Sequence, residues 1–338
     1  METDKPLMTL ALHEPPEETS YDFHPKKFDE YLGQKELKTK LQLYCHAATL
    51  RNEPLDHLLL FGPPGLGKTT LAMIMSHVMN VGIKICNGPM LERTGDMVSL
   101  LSSLEPRDIL FIDEIHRMPT AVEEVLYNAM EHFRVDVIVG QGPGAKSINL
   151  PIHPFTLIGA TTKSGMISAP LQSRFGINER LDYYSDEDLQ AIILQSALFL
   201  DLKLSPESAL TIAGCARGTP RIAKKILRRV RDFAQIHNQN HATDLLVEES
   251  LRFLGIDSQG LTKLDHKIIS TLLDNNGGPL GLETLASLVG EDSQTIEEVY
   301  EPFLMRKGYL ERTPRGRQIP HKRFQSLNLQ KNGQNALF

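Results

Sequence analysis

Residues 57–69 read His57-Leu-Leu-Leu-Phe61-Gly62-Pro-Pro-Gly-Leu-Gly67-Lys68-Thr69, an apolar run that ends in a glycine-rich loop. A short, nearly continuous apolar segment stopped by glycine is the pattern of a strand buried on both faces of a parallel sheet. The loop from Gly62 to Thr69 matches GxxxxGK[ST] in full, and a helix is predicted directly after it, over Thr69–Met79, with Leu71, Ile74, Met75 and Val78 on one face. Gly62, Gly65 and Gly67 let backbone N–H groups converge on phosphates with no Cβ in the way. Lys68 reaches the terminal phosphates, Thr69 can ligate Mg²⁺, and Thr70 can donate to the same phosphates. The loop therefore points to binding and hydrolysis of ATP.

Working outward, Ile109–Ile112 reads as a second buried strand and Thr156–Gly159 as a third. Strands alternating with helices imply a parallel, doubly wound α/β sheet with helices on both faces. The organisation expected is a loose tail over residues 1–20, a large nucleotide-binding domain over 21–183, a small helical domain over 184–254, and a C-terminal domain over 257–338. The most regular helix is predicted over Arg221–Gln235, with Ile222, Ile226, Val230 and Phe233 on its apolar stripe. Helical segments near Leu264–Leu273, Leu282–Val289 and Thr295–Arg306 precede a basic turn at Thr313-Pro-Arg-Gly316, which is the element order of a winged helix.

The strand Ile109–Ile112 delivers Asp113 and Glu114 at its C-terminal end, beside the P-loop. Asp113 suits Mg²⁺ and Glu114 suits orienting the attacking water. Thr161 and Thr162 end the next apolar strand, where a hydroxyl can sense the γ-phosphate or cap the following segment. Arg174, in Ala169-Pro-Leu-Gln-Ser-Arg174, can act in trans on a neighbouring subunit's nucleotide or form a surface ion pair. Arg221 follows a Thr219 cap and Pro220, and can swing onto the γ-phosphate or belong to a solvated basic face. The alternating stretch Val135–Leu150 reads as a hairpin around the Gly140–Gly144 tip, either a protein-docking element or ordinary core.

Composition narrows the class. The chain has 338 residues, 41% of them hydrophobic and 23% charged, and no apolar run approaches the ~20 residues that cross a bilayer. Neither a membrane span nor a secretory signal is expected. Cys45, Cys86 and Cys215 stand too far apart for a disulfide framework or a CxxC zinc site, which points to a reducing cytoplasm. The net charge of −6 gives no hint of a polyanion partner, but between Arg306 and Lys331 one acid stands among eight bases. Arg312, Arg315 and Arg317 are placed as wing residues on DNA phosphates, giving salt-dependent, sequence-tolerant binding; a basic surface loop is the plainer reading.

Taken together, the sequence resembles the RuvB family, the AAA+ motors of bacterial Holliday-junction branch migration, from about Phe23 to Phe324. The stretches that carry the resemblance are Gly62–Thr70, Asp113-Glu-Ile-His-Arg117, the Gly-Gln-Gly-Pro hairpin tip, Gly159-Ala-Thr-Thr162, Arg217-Gly-Thr-Pro-Arg-Ile222 and Arg312-Thr-Pro-Arg-Gly-Arg317. The resemblance implies an α/β AAA+ domain, a helical lid and a winged-helix DNA-binding head. It implies Gly65, Lys68, Thr69 and Thr70 as ATP/ADP and Mg²⁺ contacts and Tyr184 as a further nucleotide neighbour. It also implies Arg174 as an arginine finger, Thr161 or Thr162 as first sensor and Arg221 as second sensor. Implied partners are double-stranded DNA and four-way junctions, RuvA through the hairpin 135–150, copies of the same chain in a hexameric ring, and the RuvC resolvase.

Two stretches depart from the family pattern. Phe23-His24-Pro25 stands where Leu-Arg-Pro is usual, and Glu131-His132-Phe133 where Glu-Asp-Phe is usual, so the adenine-side contacts of Phe23, His24, Glu131, His132 and Phe133 differ in detail. A clamp-loader subunit is disfavoured by the lack of a cysteine zinc module and by the winged end. A DNA-binding scaffold that uses nucleotide only as a switch is disfavoured by Glu114 and Arg174.

Overall fold

The computed structural model describes residues 23–139, 146–237 and 240–327. The tail expected over residues 1–20, the Gly140–Gly144 tip and the segment containing Lys331 lie outside the described residues. The chain divides into two compact units, residues up to 203 together with 218–225, and residues 204–217 together with 226 onward.

The first unit is built on a five-stranded parallel sheet. Its strands are β1 (Leu58–Phe61), β2 (Ile83–Asn87), β3 (Ile109–Asp113), β6 (Thr156–Thr161) and β7 (Ile177–Arg180), with β4 (Arg134–Val139) and β5 (Lys146–Pro151) forming a separate pair. The order is β2-β3-β6-β1-β7, and every neighbour pairs in parallel. β3 is thus not the neighbour of β1. β6 lies between them, because its six residues are buried throughout and can be covered only at an interior position of the sheet. The consequence is functional, since the strand carrying Thr161 runs between the P-loop strand and the strand carrying Asp113.

Helices α1 (Lys35–Arg51), α2 (Lys68–Met79), α3 (Thr94–Ser102) and α4 (Thr120–His132) precede the hairpin, and α5 (Ala169–Gln172) and α6 (Asp186–Phe199) follow it. On α2, Leu71, Ala72, Ile74 and Met75 are fully buried, so the helix is fixed against the sheet immediately after the loop. Leu110, Ile112, Leu157 and Phe155 form a core with Leu100, Leu101, Val122 and Leu126 of the helices.

β4 and β5 form an antiparallel pair in register from Arg134 with Pro151 to Val139 with Lys146, outside the parallel sheet. Val135 is fully buried and Val137 packs on the same core, whereas Ile148 and Leu150 are exposed. One part of the hairpin is core and another presents apolar surface.

In the second unit, α7 (Pro206–Cys215) and α9 (Asp244–Phe253) precede α10 (Lys263–Asp274) and α11 (Leu282–Val289). The segment predicted as one helix near Thr295–Arg306 is a short helix Ser293–Thr295, a π-helical stretch Ile296–Tyr300, and a final helix Glu301–Arg306 with Pro302 in its first turn. Proline cannot donate to the preceding turn, so the hydrogen-bond register changes there. The strands Glu311–Thr313 and Gly316–Gln318 pair antiparallel behind it. Ile268, Leu272, Leu285, Val289, Ile296 and Leu304 make one core for this C-terminal group.

Candidate ATPase site

The P-loop takes a backbone that only glycine adopts without strain at three points, the first being Gly62 with φ of +142°. Gly65 and Gly67 have φ of +78° and +98°, and a Cβ added at Gly65 would come 2.9 Å from Cβ of Arg221. Arg221, in the first turn of α8 (Pro220–His237), also donates its N–H to the Gly65 carbonyl at 3.4 Å. Thr219 caps that turn by accepting Ile222 N–H at 3.4 Å. The loop and the candidate second sensor are therefore in direct contact.

Lys68 is only 7% exposed, and its Nζ donates to the carbonyls of Gly62 (2.9 Å) and Pro63 (3.0 Å). Burial pulls the ammonium below the ordinary lysine range, while the charges of Asp113 and Glu114 pull it back up. Thr69 and Thr70 follow in the first turn of α2, half-buried. Asp113 accepts Glu114 N–H at 3.0 Å, and Glu114 has a left-handed backbone with φ of +49° that turns its side chain away from the strand direction.

Thr161 is fully buried at the end of β6 and accepts Lys163 N–H at 2.9 Å, which is a local cap of the kind expected for a strand-end threonine. Its Oγ1 also lies 2.9 Å from Nδ1 of His116. Thr162 donates to Glu114 Oε2 at 3.3 Å. The structure thus brings Gly65, Lys68, Asp113, Glu114, Thr161, Thr162 and Arg221 around one loop.

Tyr184, 6% exposed, donates to the Leu66 carbonyl at 3.0 Å and shares a 2.7 Å hydroxyl contact with Tyr31. Burial pushes the Tyr184 hydroxyl up to about 12 and that of Tyr31 well above its ordinary value, so both remain donors at neutral pH. Neither Tyr31 nor His116 was assigned a role from the sequence. A tyrosine two residues before a glycine, and a histidine after an acidic pair, carry no spacing signal of their own.

Other candidates lie apart from the loop. Arg174 stacks 4.5 Å over Tyr127, donates to the Pro170 carbonyl at 2.7 Å and has Nε 3.1 Å from Glu131 Oε1. His132 is exposed and Phe133 packs edge-on against Phe155 at 6.1 Å. Phe23 meets Phe199 edge-on at 6.0 Å, and its carbonyl accepts Lys224 Nζ at 2.7 Å. In the second unit, Arg312 and Arg317 stand opposite each other in the wing pair, and each has Nε 2.6 Å from a different oxygen of the fully buried Glu301. Arg315 is exposed at the turn.

The sequence matches the description "Holliday junction DNA helicase RuvB P-loop domain" over residues 23–181, the RuvB AAA lid domain over 184–257 and the RuvB C-terminal winged helix domain over 258–328. The chain belongs to the RuvB family. It is 47% identical over 328 residues to the Holliday junction branch migration complex subunit RuvB of Pediococcus pentosaceus, covering 96% of this chain and 97% of that one. Identity to the Fusobacterium nucleatum subunit RuvB is 49% over 309 residues, 91% of this chain and 93% of the relative. Among solved structures, the Thermotoga maritima RuvB Holliday junction branch migration motor superposes with a TM-score of 0.79 at 45% identity, covering 90% of this chain and 98% of that one. As a RuvB family member the chain is a P-loop ATPase with a parallel-sheet AAA+ domain, an AAA lid and a winged-helix domain.

Proposed function

We propose that the chain hydrolyses ATP at a site completed by a neighbouring copy, and uses the cycle to drive branch migration of Holliday junctions in recombination and repair. The observation that carries this reading is the contact of Arg221 with Gly65 of a P-loop whose Lys68 feels the charges of Asp113 and Glu114. In it, P-loop amides and Lys68 hold the phosphates, Glu114 orients and polarises the attacking water, and Thr161 senses the γ-phosphate. Arg221 reads the γ-phosphate from α8. In the same reading Tyr184, Phe23 and His24 neighbour the chain's own nucleotide, while the segment Glu131–Phe133, tied to Arg174 through Glu131, faces the nucleotide of the neighbouring copy.

Mg²⁺ fits the donor set, a threonine hydroxyl (Thr69) and one carboxylate (Asp113), which suits an ion that keeps waters and takes substrate phosphate oxygens. When bound it would neutralise charge on those oxygens.

Arg174 completes the site in trans. It is held by Glu131, Tyr127 and Pro170 and makes no hydrogen bond or ion pair with the P-loop of its own chain among the described residues. That favours a ring of copies, which we take to be hexameric. The apolar side chains Ile148 and Leu150 support hairpin 135–150 as the docking element for RuvA. Arg312, Arg315 and Arg317 suit contacts to duplex and four-way junction backbone, and RuvC is a further candidate partner. The natural setting is the bacterial cytoplasm; no helix among the described residues is long and apolar enough to cross a membrane.

The reading is tested by following a labelled four-way junction with RuvA and ATP. Conversion to duplex products by wild type and none by Glu114→Gln is expected. Equal conversion by both would overturn the assignment of Glu114.

A further inference from the structure

His116 is buried at the centre of the site with no assigned role. Its side chain is 4% exposed, and Nδ1 lies 3.2 Å from Glu114 Oε2 and 2.9 Å from Thr161 Oγ1. We propose that His116 is a positioning residue that holds Glu114 and Thr161 in one hydrogen-bonded unit, so that the γ-phosphate sensor and the water-activating carboxylate move together. The inference rests on the reading of Glu114 given above.

The tautomer sets the direction of each bond, and a proton on Nδ1 suits both oxygens that face it. An ionised carboxylate only accepts, so the proposal places a ring proton on Nδ1, the nitrogen 3.2 Å from Glu114 Oε2. Thr162 donates to the same oxygen at 3.3 Å. Two donors therefore converge on Oε2, and Oε1 is left as the oxygen that accepts a proton from water. The same logic applies to Thr161. Its Oγ1 accepts Lys163 N–H at 2.9 Å and faces the N–H of His116, so both lone pairs are used and its hydroxyl proton is left to donate outward. A sensor that donates to a phosphate oxygen and a base that accepts from water are both set by one imidazole N–H.

Burial strengthens this arrangement, because a displaced imidazole finds no water to replace its partners. Loss of the N–H frees the Glu114 carboxylate to rotate, and misplacement by about 1 Å costs up to about a hundredfold in rate. The effect is expected on turnover and not on nucleotide binding, since Lys68 Nζ is held by the carbonyls of Gly62 and Pro63.

The test is steady-state ATP turnover by the full chain on duplex DNA, with nucleotide affinity measured in parallel using a fluorescent ATP analogue. His116→Leu should lower kcat by about 10- to 100-fold and leave KM for ATP within about twofold. His116→Asn places an amide N–H where Nδ1 stands and should recover most of kcat, whereas His116→Gln, whose amide reaches the far ring nitrogen, should not. Glu114→Gln, run alongside, separates the two claims: if it stays active, the reading of Glu114 fails. If Glu114→Gln is inactive while His116→Leu turns over within about twofold of wild type, only the role of His116 fails. Should His116→Leu not bind nucleotide, the Asn and Gln variants decide, and equal rates for the two overturn the proposal.

Discussion

Arg174 and Glu131 form an ion pair, Nε to Oε1 at 3.1 Å, beneath which the Tyr127 ring lies 4.5 Å from the guanidinium. The pair joins the residue proposed as a finger to the departing Glu-His-Phe segment, so both face the same side of the first unit. Glu131 is half-exposed, and such pairs contribute under about 1 kcal/mol. Glu131→Gln is therefore expected to lower ATP turnover by only about two- to threefold, because Tyr127 and the Pro170 carbonyl still orient the guanidinium. A loss as complete as that of Arg174→Ala would show that Glu131 acts on nucleotide directly.

Gly65→Ala places a Cβ 2.9 Å from Arg221 in a backbone with φ of +78°. The conformation alone costs an L-residue about 1–2 kcal/mol. Relief comes only by moving the loop or Arg221. Nucleotide affinity should fall by more than about tenfold with little change in overall secondary structure, as read by titration and circular dichroism. Unchanged affinity would separate Arg221 from the nucleotide.

The elements that the sequence makes legible are the buried ones. β1, β3 and β6 are continuous apolar runs buried on both faces, and the helix after the loop was placed within a residue of its start at Lys68. β2 and β7 were not read. Both are edge strands whose residues are half-exposed or alternate, so they carry no apolar run. The sheet order was missed for a related reason: nothing local in a sequence says that β6 runs between β1 and β3. In the site, Lys68, Asp113, Glu114 and Arg221 were found by motif. His116 and Tyr31 matter through contacts across 45 and 153 residues, to Thr161 and Tyr184, which no spacing rule encodes.

The wing arginines should separate by their attachment. Arg317 is 16% exposed and bound to the fully buried Glu301, whereas Arg315 is exposed. Arg315→Ala should weaken DNA binding and reduce the salt slope by about one counterion without loss of stability. Arg317→Ala leaves Glu301 with Arg312 alone and should also destabilise the second unit, by about 2 kcal/mol in a denaturant titration. Equal stability for the two variants would contradict the part assigned to Glu301.

Arg217 and Asp265 form an ion pair in which Asp265 is fully buried, with the guanidinium 4.7 Å from the Phe303 ring. Removing one partner of such a pair typically costs about 3–5 kcal/mol. Arg217→Met should lower the unfolding free energy of the second unit by a comparable amount, read in a denaturant titration. A change below about 0.5 kcal/mol would show that the pair is dispensable.

Burial pushes the Cys45 and Cys86 thiols up to about 12. The thiolate is the nucleophile, so alkylation of the native chain at pH 8 should be slow at both and should accelerate on unfolding. The stability these buried thiols contribute is full below the ordinary thiol value of 9.0 and is lost as pH rises from there towards about 12. Mass spectrometry after iodoacetamide treatment checks the first point. Native Cys45 reacting as fast as in denaturant would refute it.

In the proposed ring, one ATP site draws its parts from two copies of the chain. Mixing Arg174→Ala with Lys68→Ala measures it directly, by ATP turnover on four-way junction DNA. Each variant alone should be inactive, and the mixture should regain activity, because subunits of the Lys68→Ala chain supply Arg174 to intact P-loops of the other. A mixture as inactive as its two components would contradict the shared site.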